Sequence, residues 1–500
     1  PYLFRDRGSL SDLRHFCGIA GIYSKQETNL PYNLFFPLFS LQHRGQEAAG
    51  IAYRKEGHTV VYKDLGMVST VLSRYLDQPK RSRVGIGHVR YSTKGGNRLE
   101  NVQPIHVTCN KGEIALAHNG NISNVDTIKK ELFDEGSIFQ TSSDSELILH
   151  LISRSRRESF RDALVETLER IEGAFSLVMI HDESLVVVRD PSGFRPLYIG
   201  EAEGKVVAAS ETCALDILGI STYREVEPGE IIFVSEKGLH SEKLETKRPL
   251  RQCVFELIYF ARPDSSVFGV NVHTDRKRMG AALAEEDTLP PAGEAETDAR
   301  RPGRGAHPVG DIVVPVPDSG TSAALGYAEQ AGLPFDFGLT RNHYAGRSFI
   351  LPTTGERELA VRMKLHPVRE VIRDKRIILV DDSLVRGTTA RNLVKLLKEA
   401  GAAEVHLRLC SPEIRWPCFF GIDIPTRQEL ISNHHDPSSI AELIGADSVR
   451  FLPVQRLRET RAAPDRFCYA CFTGDYPLSV PLPESERTGY PRDSGQQELL

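Results

Sequence analysis

Apolar residues along this chain fall into many short runs rather than long stripes. Ile114–Ala117, Ser176–Ile180, Leu185–Arg189, Val206–Ala209 and Ile231–Val234 each read as a strand, and glycine-bearing or polar turns separate them. Apolar spacing of three to four residues predicts helices over 124–135 and 144–154. From about residue 251 the pattern changes to strand, small-residue loop and helix, as in a parallel sheet with covered faces. The expectation is an α/β, layered α+β chain with a boundary near 250. Two stretches carry no apolar period: 284–308, rich in Glu, Pro, Gly and Arg, read as an insertion or linker, and 478–500, read as a polar tail.

The most informative run is Arg376-Ile-Ile-Leu-Val-Asp-Asp-Ser-Leu-Val-Arg-Gly-Thr-Thr-Ala390. Four apolar residues lead into two aspartates, then a loop with Gly387, Thr388 and Thr389 opens a helix marked by Leu393, Leu396 and Leu397. Backbone N–H groups at a helix start favour an anion, and the threonine hydroxyls add donors. Asp381 and Asp382 would repel that anion, so they suit a ribose hydroxyl pair or a hydrated magnesium ion. The combination points to a ribose phosphate. A second strand and loop, Asp311-Ile-Val-Val-Pro-Val-Pro-Asp-Ser-Gly-Thr-Ser-Ala-Ala324, would let backbone amides approach a pyrophosphate.

These runs resemble the signature of the type I phosphoribosyltransferases, which act on phosphoribosyl pyrophosphate (PRPP). The resemblance implies a parallel-sheet domain, Mg2+ near Ser319, Asp381 and Asp382, and substrate contacts from Asp381, Asp382, Ser383, Arg386, Gly387, Thr388 and Thr389. Thr340-Arg-Asn-His-Tyr-Ala-Gly-Arg-Ser348 resembles the loop that closes over PRPP, with Arg341, Tyr344 and Arg347 as substrate-binding candidates.

The first half carries another set: Cys17-Gly-Ile-Ala-Gly-Ile-Tyr23, His43-Arg-Gly-Gln-Glu-Ala-Ala-Gly50, His88-Val-Arg-Tyr-Ser-Thr93, Ala117-His-Asn-Gly-Asn121 and Thr141-Ser-Ser-Asp-Ser-Glu146. Together they resemble the class II glutamine amidotransferases, which are N-terminal-nucleophile (Ntn) hydrolases with an αββα sandwich. By that resemblance Cys17 is the nucleophile, Asn119 and Gly120 form the oxyanion hole, Arg90 binds the substrate carboxylate and Asp144 its ammonium group. The nucleophile of that family is residue one of the mature chain, so 1–16 is expected to be a propeptide. That stretch lacks the apolar core of a secretion signal.

Joined in this order, the two halves resemble the amidophosphoribosyltransferase family, which makes phosphoribosylamine at the first step of purine synthesis. The implied domains are a propeptide over 1–16, a glutaminase over 17–250 and a phosphoribosyltransferase over 251–477. The resemblance also implies purine-nucleotide inhibitors, a homotetramer and a cytoplasmic setting. One branch of the family holds a [4Fe–4S] cluster, and Cys253, Cys418, Cys468 and Cys471 match its ligands. Zinc in the same four-thiol site is the alternative, and Cys410 is a rival ligand for Cys418. Cys109 and Cys213 read as small packing residues.

Composition sets outer bounds. There are 62 Lys and Arg against 67 Asp and Glu, a net charge of −5, so no basic excess points to nucleic acid. No 18-residue apolar segment points to a membrane span. Two alternatives within the sequence are another class II amidotransferase, such as glucosamine-phosphate synthase or asparagine synthetase, and a purine repressor that keeps PRPP binding without catalysis. The Val-Asp-Asp-Ser run disfavours the first, and intact Cys17, Arg90, Asn119 and Asp144 disfavour the second.

Overall fold

A computed structural model describes residues 17–76, 80–91, 98–246, 248–288, 310–342, 365–424 and 426–481. The first half is a four-layer sandwich. Its two sheets have seven and six strands. The first sheet runs in the order Tyr223–Glu225, Tyr198–Ala202, Lys205–Ala209, Gly18–Asn29, Arg81–Arg90, Ala48–Lys55, His58–Leu65. The second runs Gly238–Lys243, Glu230–Ser235, Ser184–Arg189, Gly173–His181, Gly112–Ile122, Ile105–Cys109. Every predicted strand of this half lies within one of these, and the predicted helices are Val125–Asp134 and Ser145–Arg154.

Alternation explains the layers. On Gly18–Asn29, Ile19 and Tyr23 pack between the sheets with Ala117, Val178 and Val187. Ala20 and Ile22 point the other way, onto Leu34 and Leu38 of the helix Leu30–Ser40. The second sheet sends Leu116, Phe175 and Leu177 onto Ile148, Ile152 and Leu164 of its own helices. Central strands are therefore buried on both faces and read as unbroken apolar runs.

The second half is built on a four-stranded parallel sheet, ordered Ile312–Pro315, Arg376–Asp381, Glu404–Leu409, Ser448–Phe451. Ile377 and Leu379 face Leu393, Val394 and Ile440 on one side. Ile378 and Val380 face Ala323, Tyr327 and Met279 on the other. Helices Val272–Thr288 and Thr321–Ala331 cross so closely that a Cβ on Gly280 would lie 1.9 Å from the Ala323 carbonyl oxygen.

The first residues of the stretch expected to be an insertion or linker from residue 284 are helical. Ala284 to Thr288 complete a helix, Ala284 is buried, and the Asp287 carboxylate meets Arg408, Arg450 and the Tyr327 hydroxyl. Residues 289–309 lie outside the described residues, as do 1–16 and 482–500. Among the described residues no helix is long and apolar enough to cross a membrane.

Candidate functional site

Cys17 sits at the head of the central strand of the first sheet, and its carbonyl oxygen accepts a hydrogen bond from Arg44 Nε at 3.2 Å. Burial pushes its thiol up, while Arg90 and the backbone of Tyr91 pull it down and Asp144 pushes it further up. The structure thus gathers the expected residues Cys17, Arg90 and Asp144. Arg90 ends the strand Arg81–Arg90 and is buried. Gly45 lies on its backbone: a Cβ there would stand 2.7 Å from Arg90 N.

Asp144 directly precedes the helix Ser145–Arg154. Its carboxylate accepts from Ile122 N–H at 3.0 Å and Ser145 Oγ at 3.3 Å, and lies 3.7 Å from His118 Nδ1. Burial alone would raise this carboxyl, but His118 and the two donors outweigh it and hold it below the usual range. Asp144 stays ionised, as a partner for a substrate ammonium must.

Asn119 and Gly120 lie on Gly112–Ile122, between His118 and Ile122, the two residues that contact Asp144. Asn119 is fully buried, and neither its amide oxygen nor its amide nitrogen has a partner among the described residues. A buried amide left unpaired is costly, so this one is a candidate to meet a polar group from outside the chain. Gly120 has φ +155°, and a Cβ on it would stand 2.0 Å from the Ala174 carbonyl oxygen.

In the second half, Asp381 and Asp382 end a buried strand. Asp382 N–H donates to Asp381 Oδ1 at 2.8 Å, Ser319 Oγ to the same oxygen at 3.4 Å, and Ser383 Oγ to Asp382. Burial and the neighbouring carboxylate push Asp381 well up; burial also raises Asp382, against which Arg276 acts. Two adjacent carboxyls held above their usual range invite a cation or hydroxyl donors. Gly387 begins the helix Thr388–Glu399 with φ +78°. Arg386 forms an ion pair with Glu429 at 2.7 Å, and Arg341 one with Asp318 at 2.6 Å. Tyr344 and Arg347 lie outside the described residues.

The four matching cysteines converge. Cys253 and Cys468 are register partners on two short parallel strands. Burial pushes Cys253 up to about 12, with Arg195 opposing and Cys418 adding to the rise. Burial likewise raises Cys418, Cys468 and Cys471, and the last two are raised further by their fellow cysteines. Four thiols that burial keeps protonated, with a guanidinium beside Cys253 and Cys418, form a donor set of the right chemistry for a thiolate-ligated group. Among the described residues, no three or more His, Cys, Asp or Glu are already arranged to hold a metal ion. Cys410 lies elsewhere, beside Asp381 and Asp382.

The glutamine amidotransferase domain family matches residues 88–216, and the phosphoribosyl transferase domain family matches 306–410. The chain is 43% identical to the amidophosphoribosyltransferase of Methanocaldococcus jannaschii, over 93% of this chain and 98% of the relative. It is also 43% identical to that of Bacillus subtilis, over 94% and 96%. A solved structure of the B. subtilis glutamine PRPP amidotransferase, complexed with ADP and GMP, superposes with a TM-score of 0.83, covering 93% of this chain and 98% of that one, at 42% identity. The chain belongs to the amidophosphoribosyltransferase family.

As a family member it is a pentosyltransferase with a glutamine amidotransferase half, fitted to the first step of purine biosynthesis. Some residues around the site had no role assigned from sequence, although each lies inside a motif that was noticed. Arg44 is the largest of them. It is fully buried and donates to Glu211 and, at 2.7 and 3.0 Å, to both carboxylate oxygens of Glu256 in the second half. Glu256 also accepts from Arg195 at 2.9 Å. Glu211 further accepts from His43 at 2.7 Å, Arg262 N–H at 2.9 Å and Ser265 Oγ at 2.8 Å. His118, Ser145 and Asn121 are the others. Their signal was their place beside Asn119 and Asp144.

Proposed function

We propose that Cys17 takes ammonia from glutamine and that the second site uses it to displace pyrophosphate from C1 of PRPP, giving glutamate, 5-phosphoribosylamine and pyrophosphate. The observation that carries the first half-reaction is the orphaned amide of Asn119, next to a glycine whose backbone N–H can join it, in a site shared by Cys17, Arg90 and Asp144. Arg90 binds the substrate carboxylate with a two-pronged guanidinium, and Asp144 binds its ammonium. Cys17 Sγ attacks the side-chain amide carbon; Asn119 Nδ2 and Gly120 N–H hold the resulting oxyanion. The C–N bond breaks, ammonia leaves with the thiol proton, and water hydrolyses the thioester to glutamate.

Because burial keeps the Cys17 thiol protonated, a base must take its proton. We propose that the active chain begins at Cys17, after removal of 1–16, so that its α-amino group, with a pKa of about 8, serves. Residues 17–250 form the glutaminase and 251–477 the transferase, which the break between the sheets near 250 supports. In the second site Gly387, Thr388 and Thr389 would bind the 5-phosphate, with Ser383 and Arg386 on the same loop. The carboxyls of Asp381 and Asp382 would hold ribose hydroxyls or, with Ser319, Mg2+. When bound, Mg2+ neutralises the pyrophosphate leaving group. Ammonia attacks C1 as pyrophosphate departs. We also propose purine-nucleotide inhibition, a homotetramer and a cytoplasmic setting.

Glutamate release should be slow alone and rise with PRPP, since Arg341, Tyr344 and Arg347 belong to a segment expected to close over that substrate. Titrating PRPP against glutamate formation tests the assignment. Tyr344→Ala should blunt the stimulation and spare the basal rate. Absence of stimulation in the wild type would remove the coupling.

For the four thiols we propose a [4Fe–4S] cluster. Protein purified without air should carry about four irons and four sulfides per chain, and Cys418→Ser should lose them where Cys109→Ser does not. Stoichiometric zinc without iron would reassign the site.

A further inference from the structure

We propose that the loop Phe419–Gly421 of the transferase half is a strut that sets the oxyanion-binding strand of the glutaminase half, with Asn121 as its positioning residue. The proposal rests on the roles given above to Asn119 and Gly120. Asn121 Nδ2 donates to the Phe419 carbonyl at 2.8 Å, across 298 residues of sequence. Arg195 Nη2 donates to the next carbonyl, Phe420, at 2.9 Å, and is itself held by Glu256 at 2.9 Å. The Phe420 ring stacks on Phe194 with centroids 4.5 Å apart. Gly421 then lies against Gly120: a Cβ on it would stand 3.0 Å from the Gly120 carbonyl carbon and 3.2 Å from its Cα.

Gly120 is therefore clamped, with the Ala174 carbonyl on one side and Gly421 on the other. The physical need is clear. An oxyanion hole works because its donors already point where charge will develop. Glycine is the residue whose peptide plane is least fixed by its own geometry. The sheet partner secures one side of Gly120, and a loop from the second half lies against the other. Asn121 fixes that loop's height, since its amide holds the first of the three residues while Gly421 makes the contact.

Asn121→Ala and Gly421→Ala, made separately in the full chain, test this. The first releases the loop; the second, at a residue with φ +97°, drives a methyl group against both Gly120 and Arg195 Nη2, each 3.0 Å from the new Cβ. Each should lower kcat for glutamate release by about 10- to 100-fold, the range expected when a donor is displaced by an ångström or less. KM for glutamine should change little, because Arg90 and Asp144 are untouched. Affinity for glutamate γ-semialdehyde, whose tetrahedral adduct with Cys17 needs the hole, should fall by the same factor as kcat. Synthesis from ammonia and PRPP should be near wild type. Wild-type kcat in both variants would overturn the proposal. So would a rise in KM with unchanged kcat, or equal loss of glutamine- and ammonia-dependent synthesis, which marks general structural damage. A wild type without glutaminase activity would instead remove the reading of the Cys17 site.

Discussion

Cys17→Ala should abolish glutamine-dependent synthesis, a fall on the order of 10⁴-fold or more if Cys17 is the covalent nucleophile, and should leave synthesis from ammonia at high concentration largely intact. The two sites are built on different sheets. Measuring phosphoribosylamine formation with glutamine and with ammonium salts, on the same preparation, separates the effects. Loss of both activities would mean that Cys17 supports the fold rather than the chemistry. Retention of glutamine use would remove it as nucleophile.

Glu256→Ala should be strongly destabilising. Glu256 is fully buried and takes hydrogen bonds from two fully buried guanidiniums, Arg44 and Arg195. Glu211 remains for Arg44, and Arg195 keeps its bond to the Phe420 carbonyl but loses its carboxylate partner Glu256. Removing one partner of a buried ion pair costs about 3–5 kcal/mol because the other charge stays desolvated. For a chain of 500 residues that corresponds to a drop in melting temperature of roughly 3–5 °C. Glu256→Gln should fall less, since it keeps an acceptor. Thermal melts of both variants decide it; a melt of Glu256→Ala within about 1 °C of wild type would show that the network is solvated in solution.

Local pattern carried the architecture well, because the central strands are buried on both faces and glycine or polar turns end them. The Asp381–Thr389 loop and the residues around Asn119 were legible for a different reason: their chemistry is concentrated within a few consecutive positions. Long-range pairing was not legible. Arg44 lies 167 residues from Glu211 and 212 from Glu256, and a lone arginine in a polar motif reads as a surface residue. The first residues of the stretch from Ala284 to Pro308, through Thr288, read as linker by composition and complete a helix for the same reason. Its Asp287 finds Arg408 121 residues away, so the start of a segment polar by composition is tied into the fold. Cys410, near Cys418 in sequence, joins the aspartate pair instead, because the strand Glu404–Leu409 delivers it there.

The contacts of Arg44, Asn121 and Arg195 also bear on how such a chain can be dissected or recombined. The break near residue 250 is a boundary between sheets but not a seam. Severing it would strip a stacked aromatic partner from Phe194, leave two interior guanidiniums without their shared carboxylate, and release the strand that carries Asn119. A glutaminase half expressed alone would be both sticky and catalytically slack. An exchange of halves between relatives would succeed only where residues 253–262 and 418–421 travel with the glutaminase, because those two segments are its missing wall.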